Sequence, residues 1–180
     1  MKLYCLRHGE TRYNQLELCN EDPGRDVRLT PEGIRQAEAV AERLKAVPIE
    51  RIITSELPRT RQTADIINRY HDAPMESHPA LNDIRTGFES RPVAEYFAAT
   101  GHDRLHLRVN GGESLLDYKR RVTGFIDWLR TQPEETVLVV AHEETLRVFT
   151  VCFGALPDAA LLELDFGNCE LIEFTVDRRS

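Results

Sequence analysis

Apolar positions along the chain follow two rhythms. Short continuous runs at Lys2 to Leu6, Arg51 to Thr54 and Val137 to Ala141 have the length of buried strands. Between them, apolar residues recur three and four positions apart. Ile34, Ala37, Val40, Ala41 and Leu44 form one face of a helix. Thr30 suits its cap, Pro31 its first turn and Glu32 its positive dipole end. The same spacing predicts helices over about Pro58 to Tyr70, with Thr60, Ala64 and Ile67 inward, and over about Pro92 to Thr100. Two more are predicted over about Glu113 to Arg130 and about Glu143 to Phe153. Residues 71 to 90 contain Pro74, Pro79 and Gly87 and predict irregular structure. Residues 161 to 165 and 169 to 176 read as two strands joined at Phe166-Gly167-Asn168.

Strands alternating with helices predict an α/β fold, a three-layer sandwich whose mostly parallel central sheet carries helices on both faces. Ligands of such sheets collect at the carboxyl ends of the strands. The first strand ends at Arg7-His8-Gly9, the second at Thr54-Ser55 just before Arg59, and the third at His142. Two histidines and two arginines therefore fall where a site is expected.

Length and charge narrow the function. The 180 residues suit one domain, 1–180, with residues 71 to 112 as an irregular cap over the strand ends. A chain of this size buries roughly 70% of its unfolded surface and needs no disulfide or metal staple. There are 23 Lys and Arg against 30 Asp and Glu, a formal charge of −7, which argues against nucleic acid as a partner. No run approaches the ~20 apolar residues of a membrane span, and the opening run is too short for a signal peptide, so no membrane partner is expected. Cys5, Cys19, Cys152 and Cys169 form no CxxC pair. Cys5, Cys152 and Cys169 sit in apolar contexts and read as small core residues, which points to a reducing, cytoplasmic compartment. Oligomeric state is not legible.

The residues at the strand ends suit one chemistry. A guanidinium is a planar fork that matches phosphate oxygens in pairs, so Arg7 and Arg59 can hold a phosphoryl group. A neutral imidazole, His8, can attack phosphorus. Gly9 beside it leaves room for the phosphate to approach the backbone. A cationic His142 can stabilise the equatorial oxygens, and a carboxylic acid is needed to protonate the departing oxygen.

The chain resembles the histidine phosphatase superfamily, also called phosphoglycerate-mutase-like. The match runs through Arg7-His8-Gly9-Glu10-Thr11 with Asn14, Leu29-Thr30 with Gly33, Gln36-Ala37 and Ser55-Glu56-Leu57 with Arg59. It continues through Gln62-Thr63-Ala64, Gly111-Gly112-Glu113-Ser114 and Val137 to His142, covering nearly the whole chain. The resemblance implies that His8 is the phosphorylated nucleophile. It implies that Arg7, Arg59 and His142 complete the phosphate pocket and that Asn14 lines the phosphoryl group. It implies no metal and no organic cofactor. The short length looks more like the phosphatase branch than the longer cofactor-dependent mutases.

Two positions depart from the family pattern. Leu81-Asn82-Asp83-Ile84 stands where a Glu proton donor is usual. Asp83 takes that role here, one methylene or ~1.5 Å shorter, with Glu89 as the alternative. Glu143 follows the second histidine, where Gly is common. Either it opens a helix and points outward, or it faces the pocket and slows the enzyme or fits an unusual substrate, such as an amine-bearing one.

Other candidates have ordinary readings. Glu10 is a salt-bridge partner or a pocket wall. His102 and His106 are four apart but lack a third ligand, so they read as solvated. Arg61 and the cluster Lys119-Arg120-Arg121 read as polar helix faces, and Phe125 and Trp128 as core. Gly111 to Ser114 reads as a turn that starts a helix, and residues 85 to 112 as the cover that sets selectivity. The leading expectation is a metal-independent phosphomonoesterase acting through phosphohistidine on a small phosphorylated metabolite. The alternatives are phosphoglycerate-mutase-type transfer and a weakly active phospho-ligand-binding module.

Overall fold

A computed structural model describes residues 1–177; the last three residues of the expected 1–180 unit lie outside the described residues. Five strands form one sheet: β1 (Lys2–Arg7), β2 (Arg51–Thr54), β3 (Met75–Ser77), β4 (Thr136–Ala141) and β5 (Leu171–Thr175). Their spatial order is β3-β2-β4-β1-β5. The pairs β1/β4, β2/β4 and β2/β3 are parallel, and β5 runs antiparallel on the edge beside β1. Helices are α1 (Arg12–Gln15), α2 (Pro31–Leu44), α3 (Pro58–Asn68), α4 (Val93–Thr100), α5 (Leu115–Leu129) and α6 (Glu143–Phe153).

Alternation along the strands divides the interior in two. Leu3, Cys5, Val137 and Val139 pack with α5 and α6 on one face. Tyr4, Leu6, Leu138 and Val140 pack with α2 and α3 on the other. β4 is buried at all six positions, because helices cover both of its faces. Phe125 stacks on Phe149 at 6.3 Å, and Trp128 lies partly buried against the same cluster. All four cysteines are free thiols, Cys5 and Cys169 buried and Cys152 half-buried. No described helix is long and apolar enough to cross a membrane.

Local chemistry sets the helix starts. Thr30 accepts from the Gly33 amide at 3.0 Å, with Pro31 in the first turn. Ser114 and Asp117 close a reciprocal cap, so α5 begins two residues after the predicted Glu113. Thr11 and Asn14 build the same device for α1, which hydrophobic periodicity does not show because none of its residues is buried.

Two expectations are corrected. Residues 161 to 165 are not a strand. Pro157 leads into a 3₁₀ turn, Asp158–Leu162, and the amides of Glu163 and Leu164 both bond back to the Ala160 carbonyl at 3.1 Å. Those donors are then unavailable to a ladder, and the strand starts only at Leu171. The segment 71 to 112 is also less irregular than expected. It contains β3, a 3₁₀ turn at Pro79–Leu81 and α4, with Cys19, Phe88 and Tyr96 forming a small core of their own.

The loop after β1 crosses the first turn of α2 with no room for a side chain. A Cβ on Gly33 meets the Glu10 carbonyl oxygen at 2.1 Å, whereas one on Gly124 in α5 meets nothing within 4 Å. Gly33→Ala is therefore expected to lose about 1–3 kcal/mol, and Gly124→Ala to gain about 0.5–1 kcal/mol. Urea midpoints at constant m-value check both signs.

Candidate active site

Register in the parallel sheet builds the site. Arg7 pairs with Ala141 across β1/β4, and Thr54 with Val140 across β2/β4. The next residues, His8, His142 and Ser55, therefore leave the sheet side by side. The His8 amide bonds to the Ala141 carbonyl at 3.0 Å, and the two imidazole centroids lie 5.4 Å apart. Pro58 starts α3 directly above the end of β2 and places Arg59 in its first turn, pointing into the same cavity.

Arg59 is the hub. Its Nε donates to His8 Nε2 at 2.9 Å, and its Nη2 reaches Asp83 Oδ2 at 2.8 Å and His142 Nδ1 at 3.1 Å. Its other donors go to Asn20. A guanidinium only donates, so His8 Nε2 presents its lone pair to Arg59, while His142 Nδ1 also lies 3.4 Å from Asp83 Oδ2. His8 Nδ1 then carries the proton and gives it to the Gly9 carbonyl at 2.7 Å. His142 Nε2 lies 2.9 Å from Ser55 Oγ. Burial and the Arg59 charge hold both pKa values well below the usual histidine range.

Arg7, His8, Asn14, Arg59 and Asp83 all line one cavity of about 190 Å³, with His142 directly beneath Arg59. Asn14 Oδ1 is committed to the Thr11 amide at 2.9 Å and takes a longer contact from Asn168 at 3.5 Å. Asp83 sits above Arg59 with Oδ1 on the Ile84 amide at 2.9 Å. Burial, then the neighbouring Glu144 charge, pushes its pKa up to about 7. Glu89 faces elsewhere: it accepts from the Glu21 amide at 2.6 Å and pairs with Arg25 at 3.0 Å, pinning the loop after α1. Glu10 is a bonding partner and not a wall, accepting from Thr30 Oγ at 2.7 Å.

Glu143 faces inward, which overturns the outward alternative. It pairs with Arg7 at 3.0 Å and also with Arg147, and burial followed by Glu144 raises its pKa to about 7. Arg121 is likewise no solvated face. It grips the Glu113 carboxylate at 2.9 and 2.7 Å and donates to the carbonyls of Ala80 and Asn82 at 3.0 and 2.9 Å. The segment carrying Asp83 is thus tied to α5. Sequence reasoning missed Asn20, Glu144, Tyr96 and Arg104 in the wall: Asn20 and Arg104 stand outside the predicted elements, and periodicity predicts the helices of Tyr96 and Glu144 without marking either as facing a cavity. His102 and His106 lie in an exposed turn, where His106 bonds Asp103 at 2.8 Å. Among the described residues, no group of three or more His, Cys, Asp or Glu is placed to hold a metal ion.

The model of the histidine phosphatase superfamily (branch 1) matches residues 3–180. A protein named "Probable phosphoglycerate mutase GpmB" from Proteus mirabilis (strain HI4320) is 31% identical, across 95% of this chain and 83% of its own. The structure of Bacillus stearothermophilus YhfR superposes with a TM-score of 0.86 at 25% identity, covering 98% of this chain and 91% of that one. The alpha-ribazole phosphatase from Shigella flexneri shares the fold at a TM-score of 0.84 and 24% identity, covering 96% and 89%.

Two outcomes follow from the charges. Arg121→Met leaves the Glu113 carboxylate buried without its main partner, and a loss of about 3–5 kcal/mol is expected in urea unfolding. Asp83 holds its proton more tightly folded (pKa about 7) than at its ordinary 3.8, so its ionisation weakens the fold as pH rises from about 4 to about 7. Asp83→Asn escapes that loss. Its urea midpoint relative to the unmodified protein is expected to rise between pH 4 and pH 8.

Proposed function

The chain belongs to the histidine phosphatase superfamily, and we propose that it is a metal-independent phosphomonoesterase acting through a phosphohistidine at His8 on a small phosphorylated metabolite. The observation that carries this reading is the His8 ring. Its Nδ1 proton is fixed on the Gly9 carbonyl, so the Nε2 lone pair points into the cavity at Arg59. An entering phosphate takes the Arg59 donors for its own oxygens and frees that lone pair to attack.

In the first step a bond forms between His8 Nε2 and phosphorus, the ester P–O bond breaks, and the departing oxygen takes a proton from Asp83. In the second step a water oxygen bonds to phosphorus while the N–P bond breaks, and Asp83 recovers a proton from that water. A carboxyl with pKa about 7 serves both steps near neutral pH, since it is neither permanently charged nor permanently neutral. Arg7 and Arg59 offset the charge on the phosphoryl oxygens throughout. His142, beside Arg59 and Asp83, donates to a phosphoryl oxygen once its pocket-facing nitrogen carries a proton taken from solvent.

A second reading, phosphoglycerate mutation, draws support from the name of the Proteus mirabilis relative. Phosphorus NMR separates the two on 3-phosphoglycerate: free phosphate for a phosphatase, the positional isomer for a mutase. His8→Ala is expected to abolish phosphate release and the acid-labile phosphoenzyme trapped by quenching. EDTA is expected to leave the rate unchanged. Asp83→Asn is expected to cut kcat on an alkyl phosphate by about 10²–10⁴ and to spare more activity on p-nitrophenyl phosphate, whose leaving group needs no proton. Full turnover by His8→Ala overturns the proposal.

A further inference from the structure

We infer that the pocket selects phosphate esters whose leaving group is apolar and carries no second anionic charge. This rests on the phosphatase reading above and concerns the half of the cavity beyond Arg7 and Arg59. That half has two unlike walls. One is the first turn of α6, where Glu143 and Glu144 both face the cavity, their side chains each 18% exposed. The other comes from α4 and the chain after α1: Val93, Tyr96, Phe97 and Leu18.

The outer cations already pair with carboxylates, with only the buried Nε of Arg104 and of Arg147 lacking a hydrogen-bond partner among the described residues. Arg147 is paired with Glu143. Arg104 pairs with Glu144 at 3.5 Å and lies over the Phe97 ring at 4.7 Å from its centroid. A carboxylate or second phosphate on the leaving group must therefore displace an existing ion pair or sit against a carboxylate, and either discriminates against it. The resting electrostatics agree, since Glu144 is among the charges that push the Asp83 and Glu143 carboxyls toward neutrality.

The apolar wall continues outward. A second hollow of about 310 Å³ shares Tyr13, Asn14, Leu18, Val93 and Phe97 with the first and adds Ala94 and, at its rim, Glu17. Phe97 is 44% exposed there. With its phosphoryl group at Arg7 and Arg59, an ester extends its leaving group along this apolar wall, where burial favours aryl and alkyl groups.

The test compares three esters of similar alkoxide leaving ability: benzyl phosphate, glycerol 3-phosphate and 3-phosphoglycerate. The expected order of kcat/KM is benzyl, then glycerol, then glycerate, the last two separated by on the order of 100-fold. Glu144→Gln is expected to raise the glycerate-to-glycerol ratio at least about tenfold, the ratio cancelling any change in Asp83. Phe97→Ala is expected to erase the benzyl preference. Glycerate turned over as well as glycerol by the unmodified enzyme overturns the inference while leaving the phosphatase reading intact. Phosphate release from none of the three overturns the phosphatase reading alone. The selectivity is then read independently by calorimetric binding of the same esters to His8→Ala, where equal affinity for glycerate and glycerol phosphates overturns it.

Discussion

A single guanidinium, that of Arg59, organises everything around it. Buried at the start of α3, it reaches both histidines, Asp83 and Asn20 at once. Because it can only donate, it fixes which nitrogen of His8 carries a proton. The tautomer of His8 and the position of Asp83 are consequences of one side chain. It can do this only because parallel pairing brings the ends of β1, β2 and β4 to one level. A shift of one residue along β1 would turn His8 to the opposite face.

The charges around this hub are balanced rather than simply positive. Four arginines, Arg7, Arg59, Arg104 and Arg147, face three carboxylates, Asp83, Glu143 and Glu144, in one cavity. A phosphate site built only of cations would bind product as firmly as substrate. Here two of the carboxyls sit near neutrality at physiological pH, so the field can change with the protons moved during turnover. Glu143 and Glu144 are also stabilised locally, since they occupy the first turn of α6 where the helix dipole favours negative charge.

Much of this was legible in the sequence, for identifiable reasons. The strands β1, β2 and β4 and the helices α2 to α6 announce themselves by periodicity, capping residues and the rule that ligands gather at strand ends. Arg7, His8 and Arg59 follow from their places at the strand ends, Asn14 and Asp83 from the family resemblance, and all five line the cavity. What could not be read was direction and small scale. Nothing local tells whether Glu143 points in or out of its helix start, because the dipole favours it either way. Arg121 looks like its neighbours Lys119 and Arg120 until the 3₁₀ turn at Pro79–Leu81 presents its carbonyls. The run Leu161-Leu162 imitates a strand because leucine burial looks alike in a turn and a ladder. β3 is three residues long, too short to alternate visibly.

The apolar trough is built from α4 and the stretch after α1, whereas the phosphoryl end hangs on the ends of the central strands. Residues of the outer wall, such as Phe97 and Leu18, contribute nothing to sheet pairing. Drift at those positions can therefore redirect the enzyme toward new esters through many neutral intermediates, each still folded and still able to cleave phosphorus from oxygen. The architecture separates what must stay fixed from what is free to be retuned, and a lineage carrying it can acquire a new diet without rebuilding its chemistry.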